Sequence, residues 1–313
     1  MVTTSTYVNT VLGNINAEDL GICYPHEHLL GYPPEPYFDD DLSLDSIDAA
    51  VSEMDFFKQA GGQSLVDMTT EDYNRDASGL KRISEATGIH IIAATGHHKN
   101  KFSEPYVENS TVEELAEKFI REISQGIGDT GIKAGVIKAG TMKNRVSDNA
   151  KKVLTAAAIT QQETGIPVST HTEAGTMAQE QIEILTESGA DPEKIIIGHL
   201  DRKLEWDYHQ QIADTGVTLG FDQVGKEKYY PDKKRIDFIK KLIDTGYENQ
   251  IILSGDLARK SYWPSYNTGG GPGFTYILWR FLPWLREEGV SEGSIQTIIR
   301  HTPARIFGSK KRL

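Results

Sequence analysis

The order of apolar runs predicts a (β/α)₈ barrel, distorted and preceded by a short β-hairpin, and three observations carry that prediction. Eight short strand-like runs alternate with stretches of helical periodicity through the chain. No Gly-x-Gly-x-x-Gly follows the first of them, so an open doubly wound sheet would lack its phosphate-binding turn. Residues able to hold a metal recur at the ends of the runs, with 33 residues from Lys138 to His171 and 28 from His171 to His199, each close to one βα unit. In a closed barrel all strand ends share one C-terminal mouth, where such side chains converge.

Taken in order, Val8 to Ile15 alternates and carries Gly13, which predicts the hairpin. The run Leu20-Gly21-Ile22-Cys23 leads into His26-Glu27-His28. Two histidines one residue apart on an extended segment point to the same side and form a chelating pair. Leu44, Ile47, Val51 and Met54 recur at helical spacing, so the first helix is expected over 44–60 with Ser43 as its cap and Gly61 past its end. Strand 64–68, helix 77–87, strand 90–95 and helix 112–127 follow, then the strand 132–138 that ends in Lys138. The remaining pairs are helix 149–164 with strand 166–171, helix 175–188 with strand 194–199, helix 204–215 with strand 217–221, and helix 234–245 with strand 250–254. The four glycines of Asn267 to Gly273 predict a flap after the eighth strand.

Composition sets limits on function. With 313 residues, 38% of them hydrophobic, and no linker rich in Pro or Gly, residues 1–313 are expected to form a single domain. No apolar run is long enough to span a bilayer, and the N-terminus lacks a basic-then-apolar leader, so a cytoplasmic location is expected. The formal net charge of -12 argues against nucleic acid or an anionic membrane as partner. The one cysteine, Cys23, excludes an internal disulfide and reads as a small buried hydrophobe. A homodimer is compatible with all of this.

The candidate ligands differ in how readily they are explained otherwise. A lone strand-end histidine is more often a satisfied core residue, yet His171 and His199 stand in register with the other ligands. Asp256 could cap a helix, but in a closed barrel strand eight lies beside strand one and brings it to His26 and His28. Lys138 is unexpected as a ligand, because an ammonium has no lone pair. Alternation puts it on the face of Ile132, Ala134 and Val136, where burial disfavours the cation and opens the way to a carbamate formed with CO₂.

These pieces together resemble the phosphotriesterase-like branch of the amidohydrolase superfamily over nearly the whole chain. The matching motifs are Val11-Leu12-Gly13, His26-Glu27-His28, Val66-Asp67-Met68-Thr69 with Arg75-Asp76, and Val136-Ile137-Lys138. They continue through Thr170-His171, Gly198-His199-Leu200-Asp201, Ser254-Gly255-Asp256 and Pro303-Ala304-Arg305, with Thr302 where the family often has Asn. The resemblance implies two divalent metals, usually zinc. His26, His28 and Asp256 would hold the more buried metal and His171 and His199 the more exposed one. Carboxylated Lys138 and a hydroxide would bridge them, and Asp256 would take the proton of the attacking oxygen. Hydrolysis is the implied reaction class.

Substrate information falls to the loops after strands seven and eight. Lys226 to Arg235 and Leu257 to Tyr262 form a basic patch with tyrosines in an otherwise acidic chain. Lys233, Lys234 and Arg235 read as a solvated helix start. Lys228, Arg259 and Tyr262 lie closer to the strand ends and suit a phosphomonoester dianion. The Lys228 and Arg259-x-x-Tyr262 pattern resembles the subgroup that opens phosphorylated sugar lactones, which makes an anionic lactone phosphate the expected small-molecule substrate. A phosphotriesterase would want a large apolar pocket, and an acyl-homoserine lactonase an apolar groove of the kind Phe274, Tyr276 and Trp279 could supply. A metal-loaded barrel that binds a sugar phosphate without turnover is the non-enzymatic alternative.

Overall fold

A computed structural model describes residues 6–310. Met1–Ser5, most of the stretch read as lacking a leader, lie outside the described residues. Strands β1 (Tyr7–Thr10) and β2 (Gly13–Asn16) form the expected antiparallel hairpin, with Gly13 at φ 112 in a turn conformation that a Cβ disfavours. Eight strands follow, β3 (Cys23–Glu27), β4 (Ser64–Asp67), β5 (His90–Gly96), β6 (Val136–Thr141), β7 (Val168–Thr172), β8 (Ile195–Ile197), β9 (Thr218–Phe221) and β10 (Ile251–Leu253). They pair in parallel in chain order from β3 to β10.

Helices α1 (Ile47–Gln59), α2 (Ala77–Thr87), α3 (Asn100–Val107), α4 (Val112–Ser124), α5 (Asp148–Thr164), α6 (Ala178–Glu187), α7 (Trp206–Ala213) and α8 (Asp232–Asp244) fill the crossovers. Their ends are written in the sequence. Thr111 and Glu114 make a reciprocal capping box at α4, Ser147 caps α5, and left-handed Gly88 and Gly165 terminate α2 and α5. A continuous helical stretch from Ile277 to Glu287 and a last one from Glu292 to Phe307 cover the outside after β10.

The ring closes between β10 and β3 largely through side chains. Glu27 points at the β10 end, where its carboxylate accepts from Ser254 Oγ at 2.7 Å, Gly255 N at 2.7 Å and Leu257 N at 2.9 Å. Ser254 Oγ also accepts from His26 N at 3.1 Å, and Asp256 N donates to His26 O at 3.2 Å. The middle residue of His-Glu-His therefore ties the first strand to the last. Burial pushes the Glu27 carboxyl up to about 7 against the pull of the three donors.

A closed sheet makes two cores. The inner one, with Val66, Ile92, Val136, Ile196 and Ile252, is plugged from below by Val8 and Leu20 of the N-terminal segment and by Ile306 and Phe307 of the last helix. The outer one packs Leu65, Ile137, Ile197, Leu219 and Ile251 against helix residues such as Met54, Phe119, Leu154 and Ile239. Strands buried on both faces read as nearly continuous apolar runs, which is why all eight were visible. With the bottom plugged, the polar strand ends at the opposite mouth are left for chemistry.

Three sequence expectations need correction here. The first helix begins at Ile47 with Ser46 as its cap, because Ser43 closes a separate 3-10 turn, Asp40–Leu42. Lys138 shares its inward face with Val136 only, since Ile132 and Ala134 precede β6 and belong to the outer core. Helix α3 was not foreseen: it is eight residues long, contains Pro105 and has no side-chain cap at Lys99.

Candidate active site

The mouth brings together all six residues expected as ligands. Pro25 cannot donate to the ladder, and the β3–β4 register shifts between Tyr24 and Glu27, so the strand end carrying the histidines is irregular. Thr69 Oγ1 lies 2.8 Å from His28 Nδ1 and orients that ring, leaving Nε2 3.5 Å from Asp256 Oδ1. His26 Nε2 stands 3.9 Å from the same oxygen, and donor atoms of these three residues lie within 4.8 Å of one another. His171 Nδ1 is 2.8 Å from His199 Nε2, and Lys138 Nζ is 3.1 Å from His26 Nε2.

Two of these residues sit in strained backbone: His199 has φ 59 and Asp256 φ 46. Surrounding bonds hold them there. Lys226 Nζ donates to Asp256 O at 2.6 Å, to Asp256 Oδ2 at 3.0 Å and to Gln223 Oε1 at 3.0 Å, and Gln223 Nε2 donates to Asp256 Oδ2 at 2.7 Å. Asp222 accepts from His199 N at 3.0 Å and lies 2.6 Å from His199 Nδ1 and 3.3 Å from His26 Nδ1. One buried carboxylate thus orients the His199 ring through its Nδ1 atom and lies beside the Nδ1 of His26, which has no hydrogen-bond partner of its own among the described residues.

The electrostatics favour cation binding. Burial, with Lys138 and His199 nearby, holds His26 well below the usual imidazole range, and burial takes His28 down to about 3. Burial and His199 do the same to His171. The Asp256 carboxyl, which burial alone would raise, is held well below its usual range by Lys226 and the surrounding imidazoles. Burial lowers the Lys138 ammonium to about 8 in spite of Asp256 and Asp222. Neutral imidazoles converging with an ionised carboxylate are the donor set of a zinc-like cation, so the residues present fit the metals the family implies.

Two cavities meet over this floor. One, of about 150 Å³, is lined by Arg202, Lys226, Tyr229, Arg259 and Tyr262 beside His171, His199 and Asp256. The other, of about 190 Å³, is lined by Tyr73, His98, Lys99 and Phe102 beside the whole ligand set. Arg259 and Tyr262, two of the three residues read as a phosphate site, line the first of these cavities. Lys228 is exposed and reaches it only through a 2.6 Å bond to Tyr262 Oη. Arg259 already has an anionic partner, Asp41 Oδ2 at 2.9 Å.

Arg235 is not solvated as the sequence suggested. It is fully buried, with Nε on Asp201 at 2.7 Å and Nη1 on Asp232 at 2.8 Å, because two buried carboxylates meet it there. The aromatic segment supplies no groove. Phe274 is buried against Phe57 and Trp263, Tyr276 Oη donates to Asp232, and neither they nor Trp279 line the two cavities. Sequence reasoning missed Asp222, Gln223, Lys226 and His98. Asp222 could have been found, since it follows the predicted run ending at Phe221 as Asp256 follows the eighth.

Comparison with known proteins agrees with this geometry. The family model described as "Phosphotriesterase family" matches residues 6–307. A phospho-furanose lactonase from Mycoplasmopsis synoviae is 36% identical over 323 residues, covering 96% of this chain and 91% of the relative. The crystal structure of a lactonase from Listeria monocytogenes superposes with a TM-score of 0.92 at 36% identity, covering 98% of this chain and 100% of that one. The phosphotriesterase homology protein from Escherichia coli, whose crystal structure is complexed with phosphate in the active site, superposes with a TM-score of 0.89 at 34% identity over 92% of this chain and 99% of that one. With matches of this extent, the chain belongs to the phosphotriesterase family and is a hydrolase acting on ester bonds.

Proposed function

We propose that the protein opens a phosphorylated sugar lactone. The observation that carries this reading is the cationic cavity of about 150 Å³, with Arg202, Arg259, Tyr229 and Tyr262, set directly beside His171, His199 and Asp256 in a chain of net charge -12. A phosphomonoester held there places an attached five- or six-membered ring over the ligand floor. The names of the Mycoplasmopsis relative and the phosphate-bound Escherichia structure support the same substrate class.

In this reading His26, His28 and Asp256 would hold one metal and His171 and His199 the other, with carboxylated Lys138 as a further ligand. Two divalent ions, zinc by family resemblance, supply Lewis acidity that lowers the pKa of a water and polarises the carbonyl oxygen under attack. Lys138 Nζ, which burial lowers to about 8 so that about a tenth of molecules carry the neutral amine at pH 7, adds through its lone pair to CO₂ and releases a proton. The Asp256 carboxylate receives the proton of the attacking water and returns it to the ring oxygen as the C–O bond breaks. Gln223 and Lys226 fix that carboxylate on its Oδ2 side and leave Oδ1 facing the histidines.

Arg259, Tyr262 and, through Tyr262, Lys228 bind the phosphate remote from the carbonyl and orient the ring. The polar, divided mouth disfavours a bulky phosphotriester, and the burial of Phe274 disfavours an acyl-chain groove. The test is hydrolysis by zinc-loaded protein of matched phosphorylated and plain aldonolactones. Phosphorylated lactones should be opened with the higher kcat/KM, whereas turnover of plain lactones alone would reject the phosphate.

A further inference from the structure

The two cavities of about 150 and 190 Å³ share part of their lining, and one bulky apolar side chain belongs to that shared part. Both are lined by His171, His199 and Asp256 of the floor, by Ala258 and Arg259 of the loop after β10, and by Leu42. Ala258 is small and Arg259 is turned onto Asp41, so Leu42 is the bulky apolar group of the shared lining. Either cavity alone is below the roughly 300–1,000 Å³ usual for ligand pockets, so a ring with a phosphate arm is best housed with one part in each.

Leu42 is held in place by its neighbours. It ends the single 3-10 turn Asp40–Leu42 in the connection between β3 and α1. The Asp41 carboxylate accepts from Arg259 Nη1 at 2.9 Å, Ser261 N at 2.8 Å and Ser261 Oγ at 3.0 Å. Lys260 Nζ lies 3.1 Å from Asp40 Oδ1 and 3.2 Å from Asp45 Oδ2, and Tyr266 Oη accepts from Asp45 N and Ser46 N, each at 3.2 Å. A lone exposed ion pair fixes little, but these bonds converge on both sides of one three-residue turn and on one facing loop. The turn is therefore strapped across the mouth, with Leu42 as its inward point.

We propose that Leu42 is a specificity-determining residue: strapped by Asp40 and Asp41 to the loop after β10, it narrows the mouth so that a compact ring with a slender phosphate arm fits and a triester with three substituents on phosphorus does not. The proposal rests on reading the site as a lactone-phosphate hydrolase. A phosphomonoester joined to a ring is two compact groups linked by one CH₂–O bridge, which matches two small adjoining cavities. A triester carries its bulk at the reacting phosphorus itself, over the floor of His171, His199 and Asp256 whose two cavities Leu42 also lines.

The test compares zinc-loaded parent, Leu42→Met, Leu42→Ala and Leu42→Gly on a phosphorylated aldonolactone and on a diethyl aryl phosphate, with metal content and thermal midpoint measured for each. Removing the isobutyl group should raise kcat/KM for the triester by at least about tenfold in Leu42→Ala, and further in Leu42→Gly, as expected when a steric block of several carbons is lifted. Leu42→Met, which keeps the volume, should stay near the parent. An unchanged triester value in Leu42→Ala and Leu42→Gly at full metal content would overturn the proposal, as would an equal gain in Leu42→Met. Should Leu42→Ala fail to hold metal, Leu42→Val decides by the same criterion. Failure of the parent to open the phosphorylated lactone would instead remove the substrate reading, and the triester series would still report on Leu42.

Discussion

Asp222 grips His199 twice, with its carboxylate 2.6 Å from the ring Nδ1 and 3.0 Å from the backbone nitrogen, and its other oxygen lies 3.3 Å from His26 Nδ1. One carboxylate thereby serves a histidine of each expected metal position. Asp222→Asn can accept at only one oxygen, so it should weaken zinc binding by about 10–100-fold. Competition with a chelator, followed by metal analysis, would measure it. Parent-like affinity at both positions would show that the rings are held by packing alone.

Lys138 should need CO₂ to complete the site. Only the neutral amine adds to CO₂, and burial lowers this lysine to about 8, so loading should speed up as pH rises toward that value. Apoprotein mixed with zinc in CO₂-free buffer should recover activity more slowly than with bicarbonate. Recovery at the same rate in both would exclude a carbamate.

Replacing Asp256 by Asn should leave the fold intact and lower kcat by about 10² or more, the usual loss for a proton-transfer group. Gln223 and Lys226 would still fix the side chain from one face. A variant with near-parent kcat would take Asp256 out of the proton path.

Much of the scaffold was legible because its signals are local and repeated. Strands buried on both faces appear as unbroken runs such as Ile195-Ile196-Ile197, and helix ends carry Ser147 or Gly165. The candidate ligands were legible because each stands where a run ends. The rest depends on partners distant in sequence. Arg235 looks like any surface cation until Asp201, 34 residues away, is folded against it. Leu42 is an ordinary loop leucine until Arg259 and Ser261, over two hundred residues on, strap its turn down. Ser46 outcompeted Ser43 as a cap because the intervening chain first makes a 3-10 turn, which hydrophobic spacing does not reveal.

His209 links stability to acid. It is buried among Phe221, Phe238 and Tyr208, its Nδ1 lies 3.0 Å from Glu205 O, and burial lowers it from 6.5 to about 4. Because the folded pKa is depressed, the unfolded chain takes up the proton first as pH falls through 6.5. Stability is then lost progressively down to about pH 4, by on the order of 3 kcal/mol. Urea unfolding of metal-loaded His209→Phe against the parent should show a shallower decline between pH 6.5 and 4. Parallel curves would mean that His209 does not contribute.

Recognition by the cationic cavity of a phosphate remote from the bond that breaks is tested by Arg259→Ala. Charge-assisted hydrogen bonds to a partly desolvated phosphate contribute about 2 kcal/mol or more, so kcat/KM for a phosphorylated lactone should fall at least about tenfold. The same lactone without phosphate should be opened by parent and variant alike. Equal losses on both substrates would contradict this, leaving Arg259 with no role beyond holding the turn through Asp41 and the protein as a lactonase without a phosphate site.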